Sequence, residues 1–247
     1  FGAVRYDDVV YFASARNQAN KNYGWNDEPY LDIYQTVISA DGTYSQPSQI
    51  TELNSKFHEG PLTMSKDRST IYFSSESFNE KLYEKDKSKR LKYGQVGLYK
   101  AVKVNGKWAE ITPLPFNSKS YSTSNPSLSK DDNTLYFSSN MPGSVGGYDI
   151  WKVNINSNGT CGKPENLGNK INTPGDEGFP FVTDDGVLYF ASNGLTGFGG
   201  LDVFSADLNT NSTPINLGKP VNSEKDDFAF SFNKEKNGGY LSSNRSG

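Results

Sequence analysis

The sequence predicts an all-β protein, a β-propeller of four-stranded antiparallel blades, and three observations carry that expectation. A strand-like pentamer with an aromatic residue at its second position recurs five times, as Val10-Tyr-Phe-Ala-Ser14, Ile71-Tyr-Phe-Ser-Ser75, Leu135-Tyr-Phe-Ser-Ser139, Leu188-Tyr-Phe-Ala-Ser192 and Gly239-Tyr-Leu-Ser-Ser243. Aromatic residues make up 13 % of the chain although the hydrophobic share is only 34 %, and 24 Gly and 12 Pro punctuate it. That composition favours short strands joined by many turns over amphipathic helices. Each pentamer also follows a polar turn, such as Lys130-Asp-Asp-Asn133 or Asp184-Asp-Gly186, whose Asp, Asn and Gly supply the positive φ of a tight hairpin. A hairpin unit repeated along a chain is the signature of a propeller or solenoid.

The other strands of the unit follow in order. An inner strand precedes each turn: Gly2-Ala-Val-Arg-Tyr6, Pro61-Leu-Thr-Met64, Pro126-Ser-Leu-Ser129, Phe179-Pro-Phe-Val182 and Phe228-Ala-Phe-Ser-Phe232. A third strand comes after a loop, as Tyr30-Leu-Asp-Ile-Tyr34, Val96-Gly-Leu-Tyr-Lys-Ala101, Tyr148-Asp-Ile-Trp151 and Leu201-Asp-Val-Phe204. The outer strand is expected over residues 49–54, 111–117, 165–172 and 215–222, each run ending on an Asn. Prolines collect there, where an edge strand loses a donor without breaking a ladder. The Tyr residues at 11, 72, 136, 189 and 240 are separated by 61, 64, 53 and 51 positions, longer than the roughly 40–45 of WD-type repeats, so the blades carry generous loops. The expected blades are 1–55, 56–117, 118–172, 173–222 and an incomplete 223–247, in one domain spanning 1–247. About five blades are expected, or six if strands before Phe1 join the ring. The chain opens inside a strand without an initiator Met, and is expected to be a piece of a longer protein.

Composition narrows the function. A net charge of −3 disfavours a general nucleic-acid footprint. The single Cys161 excludes an intrachain disulfide framework and a Cys-based zinc cluster. No apolar run approaches the roughly 18 residues of a membrane span.

The repeats resemble the WD-like, TolB-type propeller of multidomain OmpA-family proteins of the Bacteroidetes. The likeness rests on Tyr11-Phe-Ala-Ser-Ala-Arg16, the Ser-x-Asp-x-x-x-(Leu/Ile)-Tyr-Phe pattern from Ser65 and Ser129, Gly146-Gly-Tyr-Asp-Ile150, Pro164-Glu-Asn-Leu-Gly168, Gly199-Gly-Leu-Asp-Val203 and Gly239-Tyr-Leu-Ser-Ser-Asn-Arg245. It covers essentially the whole chain. The resemblance implies a periplasmic, outer-membrane-associated scaffold similar to the peptidoglycan-anchoring component of type IX secretion. The propeller would dock protein partners, and peptidoglycan would be held by a flanking domain outside this chain. No cofactor, metal or catalytic activity is expected.

The candidate site follows from loop length. The connections between strands two and three are long at 15–29 and 76–95, whereas the hairpin turns are short, and functional groups collect on long loops held by rigid scaffolds. Tyr23 and Trp25 are the aromatic candidates there. A Lys-rich run at 81–92, interleaved with acids, reads as a flexible solvated loop. The blade-to-blade loops place His58, Glu59, Asn125, Asp176, Glu177, Asp226 and Asp227 toward a channel mouth. Two readings stand for them: a ring that binds a cation or basic peptide, or caps on backbone groups at strand starts. Asp32, Asp149 and Asp202 recur at the third strand without EF-hand spacing, and are expected to accept backbone N–H bonds in Gly-rich loops. Those glycines lead into strands rather than a helix N-terminus, against a phosphate cradle. His58 is the only histidine, which leaves a triad without a second candidate base. The alternative is a propeller hydrolase or lyase acting on glycans or peptides at the channel mouth.

Overall fold

Bulky β-branched and aromatic residues alternating with small polar ones fold into strands, and twenty of them occur among the described residues with no helix. The computed structural model describes residues 1–18, 27–77, 81–88, 91–210, 212–233 and 238–245. Two compact units divide the chain: Phe1 with Ala3–Ser124, and Gly2 with Asn125–Gly247. Tyr23 and Trp25 lie outside the described residues.

The first unit holds two four-stranded antiparallel sheets. One has the order β1 (Val4–Tyr6), β2 (Val9–Ser14), β3 (Asp32–Val37), β4 (Ser48–Gln49). The other runs β5 (Glu59–Met64), β6 (Thr70–Glu76), β9 (Val96–Val104), β10 (Lys107–Pro113), with a separate hairpin of β7 (Tyr83–Asp86) and β8 (Leu91–Gly94) inserted between β6 and β9. In the second unit the sheets are β11 (Thr123–Leu128) through β12 (Thr134–Ser139) and β13 (Asp149–Asn154) to β14 (Glu165–Asn166), and β15 (Glu177–Val182) through β16 (Val187–Ser192) and β17 (Asp202–Asp207) to β18 (Ile215–Asn216). A final two-stranded sheet pairs β19 (Asp227–Phe232) with β20 (Gly239–Ser243). Four four-stranded meanders in sequence order are the blades of a β-propeller.

The recurring pentamer is the second strand of each sheet and the centre of its packing. Its aromatic lies opposite an aromatic of the third strand in every complete blade: Phe12 with Tyr34, Phe73 with Tyr99, Phe137 with Trp151, Phe190 with Phe204. Ring centroids are 6.0 Å apart for Phe12–Tyr34, 5.9 Å for Phe73–Tyr99 and 6.1 Å for Phe190–Phe204. Phe73, Phe137 and Phe190 are fully buried, each worth roughly 2–3 kcal/mol of apolar transfer. Side chains also tie successive blades inside each unit. The Tyr6 hydroxyl accepts the Met64 N–H at 2.9 Å, and Ser127 Oγ accepts that of Val182 at 3.0 Å.

The hairpin turns form as the Ser-x-Asp pattern predicts. Ser65 Oγ donates to Asp67 at 2.6 Å and accepts the Thr70 N–H at 2.9 Å, and Ser129, Asp131 and Thr134 repeat the arrangement. Hydrogen bonds from Ser65 and Ser69 hold the Asp67 carboxyl down at about 2.

Three expectations need correction. The Lys-rich run at 81–92 was expected as a loop, but contains β7 and part of β8, and Lys92 Nζ sits 4.7 Å from the Tyr83 ring centroid. Cross-strand pairing and cation–π contact order the hairpin despite its charge. The outer strand is only two residues long in three blades, because the chain leaves the ladder into a tight turn. Gly168 and Gly218 make that turn with φ of +79° and +67°. The inner strands begin earlier than expected, at Glu59, Thr123, Glu177 and Asp227, and three shift register near their starts. These are β-bulges; Phe179 (φ +53°) and Ala229 (φ +50°) lie inside two of them.

Candidate functional site

The blade-to-blade connections turn out to be clamps built on one recurring segment. It reads Asn54-Ser-Lys-Phe-His-Glu59, Asn172-Thr-Pro-Gly-Asp-Glu177 and Asn222-Ser-Glu-Lys-Asp-Asp227, with Asn117 to Thr123 a longer variant. Its Asn reaches back to the third strand. Oδ1 of Asn54, Asn117, Asn172 and Asn222 accepts the N–H of Ile33, Leu98, Ile150 and Val203 at 2.7, 2.9, 2.7 and 2.8 Å. Each Asn Nδ2 donates to the carbonyl of that same residue, at 3.1, 2.8, 3.0 and 2.8 Å. In the three blades with a two-residue outer strand, the amide thus replaces one rung of the ladder that this strand cannot supply.

The residue before the inner strand, or its equivalent in the longer variant, closes the other side. His58 Nδ1, Ser122 Oγ, Asp176 Oδ1 and Asp226 Oδ1 accept the N–H of Leu31, Val96, Tyr148 and Leu201 at 3.0, 3.1, 2.9 and 3.0 Å. Asp176 and Asp226 are held in turn by Asn193 and Asn244. The acid that follows is buried in a cradle of donors. Glu59 accepts Ser55 N–H at 3.0 Å, Ser55 Oγ at 2.6 Å and Ser75 Oγ at 3.1 Å; Glu177 accepts Thr173 N–H at 2.7 Å, Thr173 Oγ1 at 2.7 Å and Ser192 Oγ at 2.6 Å. Asp227 accepts Ser223 N–H and Oγ and pairs with the Arg245 guanidinium.

Similar cradles titrate differently, and the reason is the balance between burial and the donors each carboxylate receives. Burial pushes Glu59 up to about 7 despite hydrogen bonds from Ser55 and Ser75, and raises Glu177 in the same way. At Asp227 burial also acts upward, but hydrogen bonds from Ser243, Arg245 and Ser223 outweigh it and hold the group below its ordinary value. The set of donors around Asp227, Ser243 first and then Arg245 and Ser223, reverses the sign. On the neighbouring strand β6, burial brings Glu76 to about 7 against a backbone hydrogen bond from His58, and burial lowers His58 itself.

The Gly-rich loops are the second recurring device. Asp149 accepts the N–H of Val145 at 2.6 Å and Gly146 at 3.2 Å; Asp202 accepts those of Phe198 at 2.8 Å and Gly199 at 3.0 Å. Both carboxylates are fully buried, as expected for loop caps. A Cβ on Gly146 would collide with the carbonyl oxygens of Thr173 and Gly175, and one on Gly199 with that of Lys225. The glycines are there so that each loop can seat on the next clamp. Held this way, the loops leave apolar side chains in solvent, Val145 at 44 % and Phe198 at 49 % exposed. In the first unit Tyr93 of β8 is 45 % exposed.

Of the residues singled out from sequence, His58, Glu59, Asp176, Glu177, Asp226 and Asp227 therefore sit in clamps, matching the capping reading. Asn125 lies in β11 with φ +55°, a conformation Asn tolerates better than most residues. Sequence reasoning noted the terminal Asn and the acidic loop separately and missed that they form one motif. The five-residue spacing from Asn to acid, repeated at 54–59, 172–177 and 222–227, was the available signal.

Clamped four-stranded blades define the protein class as a β-propeller, and its fold is TolB-like. No family model and no curated protein matches the chain. Among solved structures it is similar to TolB from Acinetobacter baumannii, with TM-score 0.55 and 15 % identity over 95 % of this chain and 46 % of that one. It is also similar to α-L-arabinofuranosidase from Lactobacillus brevis (TM-score 0.55, 13 % identity, 97 % of this chain and 80 % of that one). A third is a puromycin-hydrolyzing peptidase of Mycobacterium tuberculosis (TM-score 0.50, 12 % identity, 95 % and 34 %). The chain thus spans less than half the length of the TolB and peptidase chains. At these identities the likeness is one of fold. The expectation of a module without catalysis is overturned, because hydrolases share this fold and the fold does not exclude turnover. No helix among the described residues is long and apolar enough to cross a membrane.

Proposed function

We propose that the propeller is a protein-docking module of a periplasmic, outer-membrane-associated assembly, of the kind that anchors a secretion or envelope complex to the cell wall, as in type IX secretion. Peptidoglycan would be held by a neighbouring domain. The observation that carries this reading is the display of Val145 and Phe198 on loops made rigid by buried Asp149 and Asp202. Apolar groups on pre-organised loops cost little ordering entropy on binding and suit a protein partner. The TolB-like fold and the family resemblance of the repeats support the same setting. Val145→Ser with Phe198→Ser is expected to lower recovery of the protein with cross-linked envelope complexes at least tenfold, with the thermal transition unchanged. Undiminished recovery of the double variant would sink the docking reading.

A second reading is favoured by Glu59 and Glu76, two carboxyls near 7 close to His58, the range in which a general acid works at neutral pH. It predicts hydrolysis of arabinofuranosyl or aminoacyl reporter substrates by the purified protein, with turnover cut about a hundredfold or more by Glu76→Gln. Complete inactivity on both substrate types excludes it.

A further inference from the structure

One element of the first unit has no copy among the other blades. The hairpin of β7 and β8 forms a two-stranded sheet of its own between β6 and β9. Its base is fixed. Buried Ser77 donates its N–H to the Gln95 carbonyl at 2.9 Å, and its hydroxyl lies 2.8 Å from the carbonyls of Leu82 and Gln95. Gln95 Oε1 accepts the Ser122 hydroxyl at 2.7 Å, which joins the hairpin to the clamp of the following connection.

The register puts Lys85 directly opposite Lys92 and Tyr83 opposite Gly94. Opposed residues share a face of the ribbon and neighbours along a strand alternate, so Glu84 and its partner Tyr93 stand on the reverse. Like charges directly opposite each other destabilise a strand pair. At β13–β14 the chain does the reverse, setting Lys152 against Glu165 with Nζ 3.6 Å from Oε2. In the hairpin both lysines are exposed and both lean on one ring, Lys92 Nζ 4.7 Å and Lys85 Nζ 5.7 Å from the Tyr83 centroid. Cation–π attraction thus keeps together two positive charges that would otherwise separate. Gly94 puts no side chain beside that ring, as strand glycines do where a ligand comes close. The run 81–92 carries six basic residues against two acidic ones in a chain of net charge −3. Folding alone does not explain a repulsive pair on an inserted ribbon; an anion held between the ammonium groups does.

We propose that the face of the hairpin bearing Tyr83, Lys85 and Lys92 is a docking site for an acidic polysaccharide. A carboxylate of the polymer sits between the two ammonium groups, and a sugar ring lies beside Tyr83 over Gly94. Among the described residues this face holds no exposed large apolar side chain, since Tyr93 is on the reverse. A protein partner would find no apolar anchor on it, and a bilayer no group to insert. A hydrophilic polymer with repeated anionic groups needs neither, and its charge complements that of the face. The site is separate from Val145 and Phe198, so it stands or falls without the docking reading above.

The test is biolayer interferometry of the purified 247-residue protein on immobilised polygalacturonate, with dextran as the uncharged polymer. Saturable binding to polygalacturonate is expected, with none to dextran and loss in high salt. Lys85→Gln with Lys92→Gln is expected to weaken binding about tenfold. Lys163→Gln with Lys170→Gln removes the same charge from exposed positions of the second unit, and is expected to change binding by less than about twofold. Lys92→Glu makes the pair one of opposite charge, so it is expected to abolish binding while the thermal transition stays unchanged or rises. Tyr83→Ala is expected to weaken binding severalfold, because the lysines lose their shared ring. No binding to polygalacturonate overturns the proposal, and so do equal losses for the two double variants, which reduce the effect to diffuse charge. Tighter binding to phosphatidylglycerol vesicles assigns the face to a membrane, and equally tight binding to polyglutamate assigns it to an acidic peptide; either result overturns it too.

Discussion

Replacing Asn172 with alanine is expected to lower the unfolding free energy of the second unit by about 2–3 kcal/mol. The side chain is fully buried and makes three bonds: it accepts from Ile150 N–H and donates to the Ile150 carbonyl and to Asn166 Oδ1. The carbonyl keeps a second donor, the Leu167 N–H at 3.1 Å. The Ile150 N–H loses its acceptor, Asn172 Oδ1, and is left buried, which is where most of the cost arises. Asn172→Asp retains the acceptor but turns a carboxylate oxygen toward the Ile150 carbonyl, so it is expected to be at least as damaging. Asn158→Ala, on an exposed turn bonded to Thr160, serves as control and should cost under about 1 kcal/mol. Urea denaturation decides the matter, and equal losses for Asn172→Ala and Asn158→Ala would remove the clamp from the account of stability.

The second large effect is a pH dependence centred on Glu59. Its folded value is raised from 4.5 to about 7, so between those values the folded state holds a proton that the unfolded chain has released. The resulting stabilisation is fully present below about pH 4.5 and is lost as the pH rises through about 7, a difference of order 3 kcal/mol for the buried group. Glu76 contributes in the same direction, more weakly because it is partly exposed. His58 opposes them: its value is lowered by burial, so protonating it destabilises the fold as the pH falls below its unfolded value near 6.5. Comparing wild type with Glu59→Gln isolates the glutamate from the histidine. The expected result is a Gln variant that is the less stable of the two at pH 5 and no less stable at pH 8. Parallel stability–pH curves for the two proteins would refute the assignment.

Much of this architecture is legible in the sequence because a propeller repeats itself. Five copies of the second strand, the Asp-bearing hairpin turns and the Asp at the start of the third strand all emerge from comparing the chain with itself. What escaped is informative. The β7–β8 hairpin escaped because its dense charge masked a two-strand pattern that occurs once and has no copy to compare. The outer strand was read too long because residues such as Ile50, Leu53 and Ile171, which are buried, alternate well enough to pass for strand. Their burial instead comes from the turn that carries Asn54 and Asn172 back to the third strand.

The sequence by itself determined the blade, its period, its turn chemistry and the positions that recur, since these depend on local periodicity and short-range hydrogen bonding. Tertiary structure alone decided what the recurring polar residues do. Glu59, Glu177 and Asp227 share a place in the motif, yet Ser243 and Arg245, 16 and 18 residues beyond Asp227, help to invert the titration of one of them. Whether a carboxylate is a ligand-binding group or a buried clamp depends on which donors the folded chain brings to it. That is a matter of distance in space, which spacing along the chain does not encode.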